Sequence, residues 1–439
     1  MVEESGRQPV DGGAAARGTA GQSTAVRWRR DIHRHPEVGF TEFRTASLIA
    51  GRLADLGWEV RTGEDALAPG ARLGVPAPDQ LERAYLRAES EGGDPRFLPA
   101  LRGGNTAVVA TWRAAAPGRA FGLRADIDAL PLHESADPAH LPVRGGFRSV
   151  HDGVMHACGH DGHIGMAMEL AERITAQPPP RGSVTLLFQP AEEGGRGARS
   201  MVPRGVADGI DVFVAAHLGL NQPTGTVVGA LDGLLANAKI RAVFRGVAAH
   251  ASMAPHEGRN ALLGAAAATL AVQGLPRFPG HETRVAVGAI HGGTSSNIVP
   301  DTAEVLLETR ADDGAVNEEL RARAERALRG AAEMYGLGVD IDLIGSVTTA
   351  RADREAVALV EAAATAGGLR LTAASGESGV ASDDATAFMR HVQERGGIAT
   401  YTALGATLTA PHHTPAFDFD ETALAPGVAF LEDLVRRSL

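Results

Sequence analysis

The stretch His156-Ala-Cys-Gly-His-Asp-Gly-His163 holds the chain's single cysteine and three of its sixteen histidines, with His151 just upstream. Cys158 and His160 are two residues apart, so an extended or turning backbone can aim both at one point. A thiolate beside an imidazole suits zinc or a related transition metal far better than calcium or magnesium. On its own, a Cys-x-His pair is better read as a surface loop with a buried, inert thiol, because free cysteine packs as a small hydrophobe.

Carboxylates at other points extend the chemistry. Pro190-Ala-Glu192-Glu193-Gly-Gly follows the apolar run 183–189. Adjacent carboxylates at a strand end can point in different directions, one holding a metal while the other works as a base. Arg124-Ala-Asp126-Ile-Asp128 follows a second β run, 119–123, where solvated loop acids are an equally open reading of that segment alone, and His217-Leu-Gly ends a third, 211–216. Open α/β sheets place their sites just past the carboxyl ends of strands. Three successive segments delivering ligand-type side chains there are poorly explained as surface decoration.

The elements that must carry these residues follow from periodicity. Helices are expected at 25–33, stopping at Pro36, and at 41–56; His33 and His35 flank a helix end, which favours packing over metal binding. Residues 64–104 form a polar insertion with an amphipathic helix at 80–91. Strands at 106–112 and 119–123, a helix at 164–176 and strands at 183–189 and 211–216 come next. From residue 238 the pattern changes to strand 238–247, helix 260–275, strands 284–290 and 302–310, helix 316–335 and strand 338–344. This β-α-β-β-α-β order marks a ferredoxin-like inserted domain, with His250, Asn297 and Arg310 as its polar landmarks. Helices 354–366 and 382–390, strand 398–404, a loop bearing His412-His413 and a closing helix return to α/β alternation. The expected architecture is therefore α/β: a metal-binding catalytic domain with a central, mostly parallel sheet (24–234 and 349–439) and an inserted domain (235–348). Residues 1–23, Gly/Ala-rich and aperiodic, are read as a disordered tail.

Composition bounds the function. A chain of 439 residues implies two or three domains, and its net charge of −11 argues against nucleic acid as the main partner. No apolar run reaches the roughly 18 residues of a membrane span. The acidic start without an apolar core leads us to expect a cytoplasmic protein. One cysteine excludes an intrachain disulfide and an all-cysteine zinc site. Lys239 is the only lysine, and no Gly-Lys-Ser/Thr exists, which removes a P-loop.

Met155-His-Ala-Cys-Gly-His-Asp-Gly-His163, Phe188-Gln-Pro-Ala-Glu-Glu193 and His413-Thr-Pro-Ala-Phe417 together resemble the M20 metallopeptidase family over roughly residues 24–439. They look most like its amidohydrolase branch, which includes hippurate and indole-acetyl-amino-acid hydrolases. Arg72-Leu-Gly-Val-Pro, Trp28-Arg-Arg-Asp-Ile-His33 and the segment from His412 to Asp420 are similar to members that cleave p-aminobenzoyl-glutamate.

The resemblance implies two divalent metal ions, zinc or manganese, on Cys158, His160, Glu193, His217 and His413, with Glu192 as general base. Spacing to Phe417 favours His413, with His412 as its rival. The wider family has a histidine ligand in a His-x-Asp motif where this chain reads Asp126-Ile-Asp128; Asp126 is therefore not expected to ligate, and Asp128 at most supports a ligand. The inserted domain is implied to be a lid and dimerisation domain. His250 matches the histidine that reaches across a homodimer to the scissile carbonyl, and Asn297 and Arg310 match the pair gripping the substrate carboxylate. Without the family they read as a turn asparagine and a surface arginine. The implied reaction splits a small N-acyl amino acid, foremost p-aminobenzoyl-glutamate to p-aminobenzoate and glutamate, and the further partner implied is a related B subunit. Hippurate-type or aminoacylase hydrolysis is the alternative. A non-catalytic binding subunit is the remote one, and the intact Glu192 and ligand set argue against it.

Overall fold

The computed structural model describes residues 23–373 and 382–439. The expected tail, apart from Ser23, lies outside the described residues.

Among the described residues the larger sheet has eight strands: β1 (Glu59–Thr62), β2 (Val108–Arg113), β3 (Ala116–Asp126), β4 (Arg181–Gln189), β5 (Val212–Leu218), β6 (Thr226–Val228), β13 (Arg370–Thr372) and β14 (Ile398–Leu404). Their order is β1-β2-β4-β3-β5-β14-β6-β13. The four central strands β4, β3, β5 and β14 run parallel, and antiparallel pairs flank them. Parallel strands need cover on both faces and so read as nearly unbroken apolar runs. All seven residues of β5 are buried. One face packs Phe121, Leu123 and Val214 against the helices Thr24–Arg34, His160–Ala176 and Leu424–Ser438. The other packs Phe213, Leu187 and Tyr401 against the helix Thr386–Gln393. The carboxyl ends of β3, β4, β5 and β14 all reach the same edge, which sets where chemistry can be assembled.

The smaller sheet has the order β12-β7-β11-β9, from β7 (Ala236–Arg245), β9 (Thr283–Gly292), β11 (Thr302–Ala311) and β12 (Gly338–Val347), all neighbours antiparallel. Helices Ala261–Gln273 and Gly314–Met334 cover one face, burying Ile240, Ala242, Phe244, Ala265 and Leu328. The β-α-β-β-α-β reading holds. A short ribbon of β8 (Ala249–His250) with β10 (Ile298–Val299) stands apart.

The structure departs from the expected elements in physically simple ways. The helix expected from residue 164 begins at His160, because Gly159 takes φ +93° and turns the chain immediately before it. The helix expected from 382 begins at Thr386, because Asp383 and Asp384 turn inward to hydrogen-bond partners instead. Strands β1, β6 and β13 have only three or four residues, too few for a periodic signal. Among the described residues no helix is long and apolar enough to cross a membrane.

A buried ion cluster fixes the first helix to the metal-type motif and to the last loop. The Arg29 guanidinium, fully buried, donates to Asp161 at 3.2 Å, to Glu421 at 2.6 Å and to Asp418. His33 extends the cluster, with Nδ1 2.9 Å from Asp161 and Nε2 3.0 Å from Glu134. Breaking a buried pair leaves uncompensated charge. Arg29→Met is therefore expected to cost about 3–5 kcal/mol in chemical denaturation, with Arg29→Lys only a partial rescue because one ammonium cannot fork to three carboxylates.

Burial alone would depress the His33 pKa, but its bonds to Asp161 and Glu134 prevail and raise it to about 9. A group raised above its unfolded value stabilises fully below the unfolded pKa, and that stability is lost as pH rises through the folded one. Stability measured by denaturation should therefore fall between about pH 6.5 and 9. In His33→Gln that decline should be flatter.

Candidate active site

Three consecutive backbone amides govern how the Glu192-Glu193 pair is presented. The Ala191 N–H donates to Glu42 at 2.9 Å. The Glu192 and Glu193 N–H groups donate to the two carboxylate oxygens of Asp128 at 3.0 and 3.1 Å. Ala191 sits at φ 51°, a left-handed backbone that non-glycine residues adopt only when the surroundings enforce it. The turn swings both glutamate side chains into the cleft at the carboxyl ends of β4 and β5.

Five expected ligands converge there. Cys158 Sγ lies 3.5 Å from His217 Nε2 and 3.4 Å from His413 Nε2. Glu193 Oε1 is 3.3 Å from His413 Nε2 and 3.9 Å from His160 Nε2. Donor atoms of Cys158, His160 and His217 lie within 4.8 Å of one another, as do those of Cys158, Glu193 and His413 and those of His160, Glu192 and Glu193. The tautomers suit ligation. His160 Nδ1 donates to the Asp128 carbonyl at 2.8 Å and His217 Nδ1 to the Leu218 carbonyl at 2.8 Å, leaving Nε2 of each with its lone pair towards the cluster.

Two observations test the fit to metal. His160 Nε2 and Glu193 Oε1 are buried without a well-formed hydrogen bond, an arrangement that native interiors avoid unless something else satisfies the atoms. The donor set of thiol, imidazoles and carboxylate is that of zinc-like ions. The residues fit.

Local electrostatics agree. Burial, then neighbouring Glu193, pushes the Cys158 thiol well up, so a cation is needed to hold it as thiolate. Burial, then His163 and His412, drives His217 well down, leaving it neutral as a ligand must be. His160 runs the other way: burial opposes, but Asp126 and Asp128 raise it, so the pocket around its Nε2 favours positive charge. Burial, then Asp383 and Glu193, holds Glu192 well above the usual carboxylate range.

The rival histidines separate by position. His413 stands at φ 61° with its amide on the Ala157 carbonyl at 2.8 Å, and its Nε2 faces Cys158 and Glu193. His412 accepts from the Leu220 amide through Nε2 at 3.2 Å and packs on Phe417. Asp126 is committed to Arg124 at 2.7 Å and to His163 Nδ1. His163 Nε2 accepts from the Leu218 amide at 2.9 Å, which uses both its nitrogens.

A cavity of about 430 Å³ opens over the cluster, with Arg310 on its wall. His250 and Asn297 are not brought to it within one chain. His250 lies on the β8/β10 ribbon opposite Ile298, and Asn297 immediately precedes β10, its carbonyl accepting from the Ala251 amide at 3.0 Å. Sequence reasoning missed Glu42, and it also missed the network behind Glu192, where Arg124 donates to Gln189 at 2.8 Å and Asp383 at 2.9 Å and the Tyr401 hydroxyl donates to Asp383 at 2.7 Å. The only local signal was the Asp383-Asp384 pair ahead of a helix; Glu42 and Tyr401 depend on which face of an element turns inward.

The pattern of Peptidase family M20/M25/M40 matches residues 122–437. The chain belongs to the M20 family. It is thus a metal-dependent enzyme acting on amide bonds. Among M20 relatives, a p-aminobenzoyl-glutamate hydrolase subunit of Escherichia coli is 41% identical over 94% of both chains. The indole-3-acetyl-aspartic acid hydrolase of Enterobacter agglomerans is 42% identical over 92% of this chain and 94% of its own. The crystal structure of an aminobenzoyl-glutamate utilization protein from Klebsiella pneumoniae superposes with a TM-score of 0.79 at 35% identity, covering 94% of this chain and 95% of that one.

Asp128→Asn keeps one acceptor oxygen for two amides and turns an NH₂ towards the other. Metal affinity, read by competition with a chromogenic chelator, should fall about 10–100-fold, the usual cost of losing a residue that orients ligands.

Proposed function

We propose that this M20 enzyme hydrolyses the amide bond of an aromatic N-acyl dicarboxylic amino acid, p-aminobenzoyl-glutamate foremost, giving p-aminobenzoate and glutamate. The observation that carries the reading is Glu192 standing beside a convergent set of ligand-type side chains, two of whose atoms, His160 Nε2 and Glu193 Oε1, are buried without a well-formed hydrogen bond. Cys158, His160, Glu193, His217 and His413 would hold two divalent ions, zinc or manganese. When bound, such ions supply Lewis acidity and make a water acidic near neutral pH.

Within that frame the chain's own groups have distinct tasks. Glu192 accepts the proton of the attacking water and passes it to the departing amine, a role worth ~10²–10⁴ in rate. Arg124, Asp383 and Tyr401 fix the surroundings of Glu192, and Asp128 fixes its backbone. Leu220, Leu231, Leu234 and Val347 line the cavity with Tyr401, an apolar wall suited to an aromatic acyl group. Arg310 receives the carboxylate next to the scissile bond, its planar fork matching a carboxylate's two oxygens. His250 acts across a homodimer on a second chain's cleft, where the imidazole stabilises the oxyanion, and Asn297 shares the substrate carboxylate with Arg310. Two relatives carry names that mark them as one subunit of a p-aminobenzoyl-glutamate hydrolase or its homologue, so a further partner to test is a related B subunit.

The metal-loaded full chain should release glutamate from p-aminobenzoyl-glutamate faster than it cleaves indole-3-acetyl-aspartate, hippurate or acetylated amino acids. Preference for another acyl group would overturn the substrate while leaving the roles standing. Glu192→Gln should retain bound metal, measured by elemental analysis, and lose at least ~10²-fold in kcat. Glu193→Ala should lose metal; full occupancy in that variant would refute the division of labour between the two glutamates.

A further inference from the structure

Lys239 is the only lysine among 439 residues, and the roles assigned above do not use it. It lies on β7, directly opposite Glu308, while its neighbour Asn237 lies opposite Arg310. Side chains alternate along a strand, so Ala238 and Ile240 point into the helix-covered core while Asn237, Lys239 and Arg310 share the opposite face. All three line the cavity over Glu192 and Glu193. Among the described residues, Lys239 and Arg310 are the only lysine or arginine side chains on its wall, set against Glu192, Glu193, Asp232 and Asp383.

The lysine is half-buried, and its ammonium reaches the Glu193 carbonyl at 3.5 Å. No carboxylate among the described residues pairs with it, whereas Glu308 holds Arg310 through two contacts of 2.8 and 3.2 Å. A role as strut between the two sheets is already filled by backbone. The Ser346 amide of β12 donates to the Gly195 carbonyl at 2.9 Å, and a side chain at Gly195 would meet Val347 at 2.5 Å. An ammonium held at the rim of the cluster by one long contact to a carbonyl retains two protons for an incoming anion.

We propose that Lys239 selects a dicarboxylic amino acid on the leaving side, its ammonium receiving the side-chain carboxylate while Arg310 takes the one beside the scissile amide. The assignment rests on the amidohydrolase reading but not on the identity of the acyl group. An acidic leaving group brings two negative charges into a cleft already lined by carboxylates, where Arg310 is already held by Glu308 and Lys239 pairs with no carboxylate among the described residues. A point charge on a flexible stem suits the more variable position of a side-chain carboxylate, whereas the planar fork suits the fixed one.

The test compares kcat/KM for p-aminobenzoyl-glutamate and p-aminobenzoyl-glutamine, which differ only in the charge of the side chain, in the metal-loaded full-length enzyme. Wild type should prefer the glutamate substrate. In Lys239→Met the Glu/Gln ratio should fall at least about tenfold, the loss of one charge-assisted hydrogen bond, and Lys239→Arg should restore most of it. Arg310→Met should depress both substrates alike, leaving the ratio in place. A wild type indifferent to the side-chain charge, or a Lys239→Met ratio equal to wild type, overturns the proposal. So does a parallel loss on both substrates accompanied by loss of metal, which is the signature of a strut. Should the aminobenzoyl group not be accepted, the same Glu/Gln pair carrying whichever acyl group is cleaved decides Lys239 separately from the acyl reading.

Discussion

The site depends on holding three successive amides away from the cleft. Glu42 and Asp128 both arrive buried from distant parts of the chain and capture the N–H groups of residues 191–193. An uncaptured amide in this interior would carry its full desolvation penalty, so the turn has a single favourable arrangement. That arrangement strains Ala191 into left-handed backbone and sends both glutamate side chains into the cleft. Asp128 also accepts the Nδ1–H of His160 on its carbonyl, so one short segment past β3 sets a candidate base, a candidate carboxylate ligand and an imidazole tautomer together. The burial of Asp128 beside Glu42 shows as a cost elsewhere: desolvation, then the Asp128 charge, raises Glu42 to about 8.

Around this turn the fold gathers elements far apart in sequence. The Arg29 cluster clamps the N-terminal helix to Asp161, beside His160, and to Asp418 and Glu421, beyond His413. Candidate ligand residues 255 positions apart, Cys158 and His413, are thereby held side by side. Rigid support of this kind keeps a constellation within the small tolerance that chemistry requires. The second sheet contributes differently, presenting one polar face, Asn237, Lys239 and Arg310, over the cluster, while its other face is spent on its own helices.

Much of this was legible in residue types and spacing. The Cys158/His160 pair, the Glu192-Glu193 doublet and His217 lie in or beside long apolar strands and a motif dense in ligating side chains, signals that survive without tertiary information. The β-α-β-β-α-β order was equally plain, because six elements of full length each carry their own periodicity. Short edge strands gave no signal. The helix that starts at His160 shows its apolar stripe only from Ile164, because a glycine at φ +93° can begin a helix ahead of any stripe.

The sequence by itself determined which chemistry is possible: one thiol, a histidine-rich motif and paired carboxylates at strand ends limit the site to transition-metal and acid–base work. It also determined the two-sheet architecture, since periodicity is a local property. Tertiary structure alone decided which further residues join the site: Glu42, Tyr401 and Lys239 are drawn to it. It also gave the physical ground for two preferences already drawn from the motifs, since His413 rather than His412 faces Cys158 and Asp126 is consumed by Arg124 and His163. Those outcomes turn on which face of an element points inward and on which distant polar group completes each buried hydrogen bond, and neither is encoded in any short window of sequence.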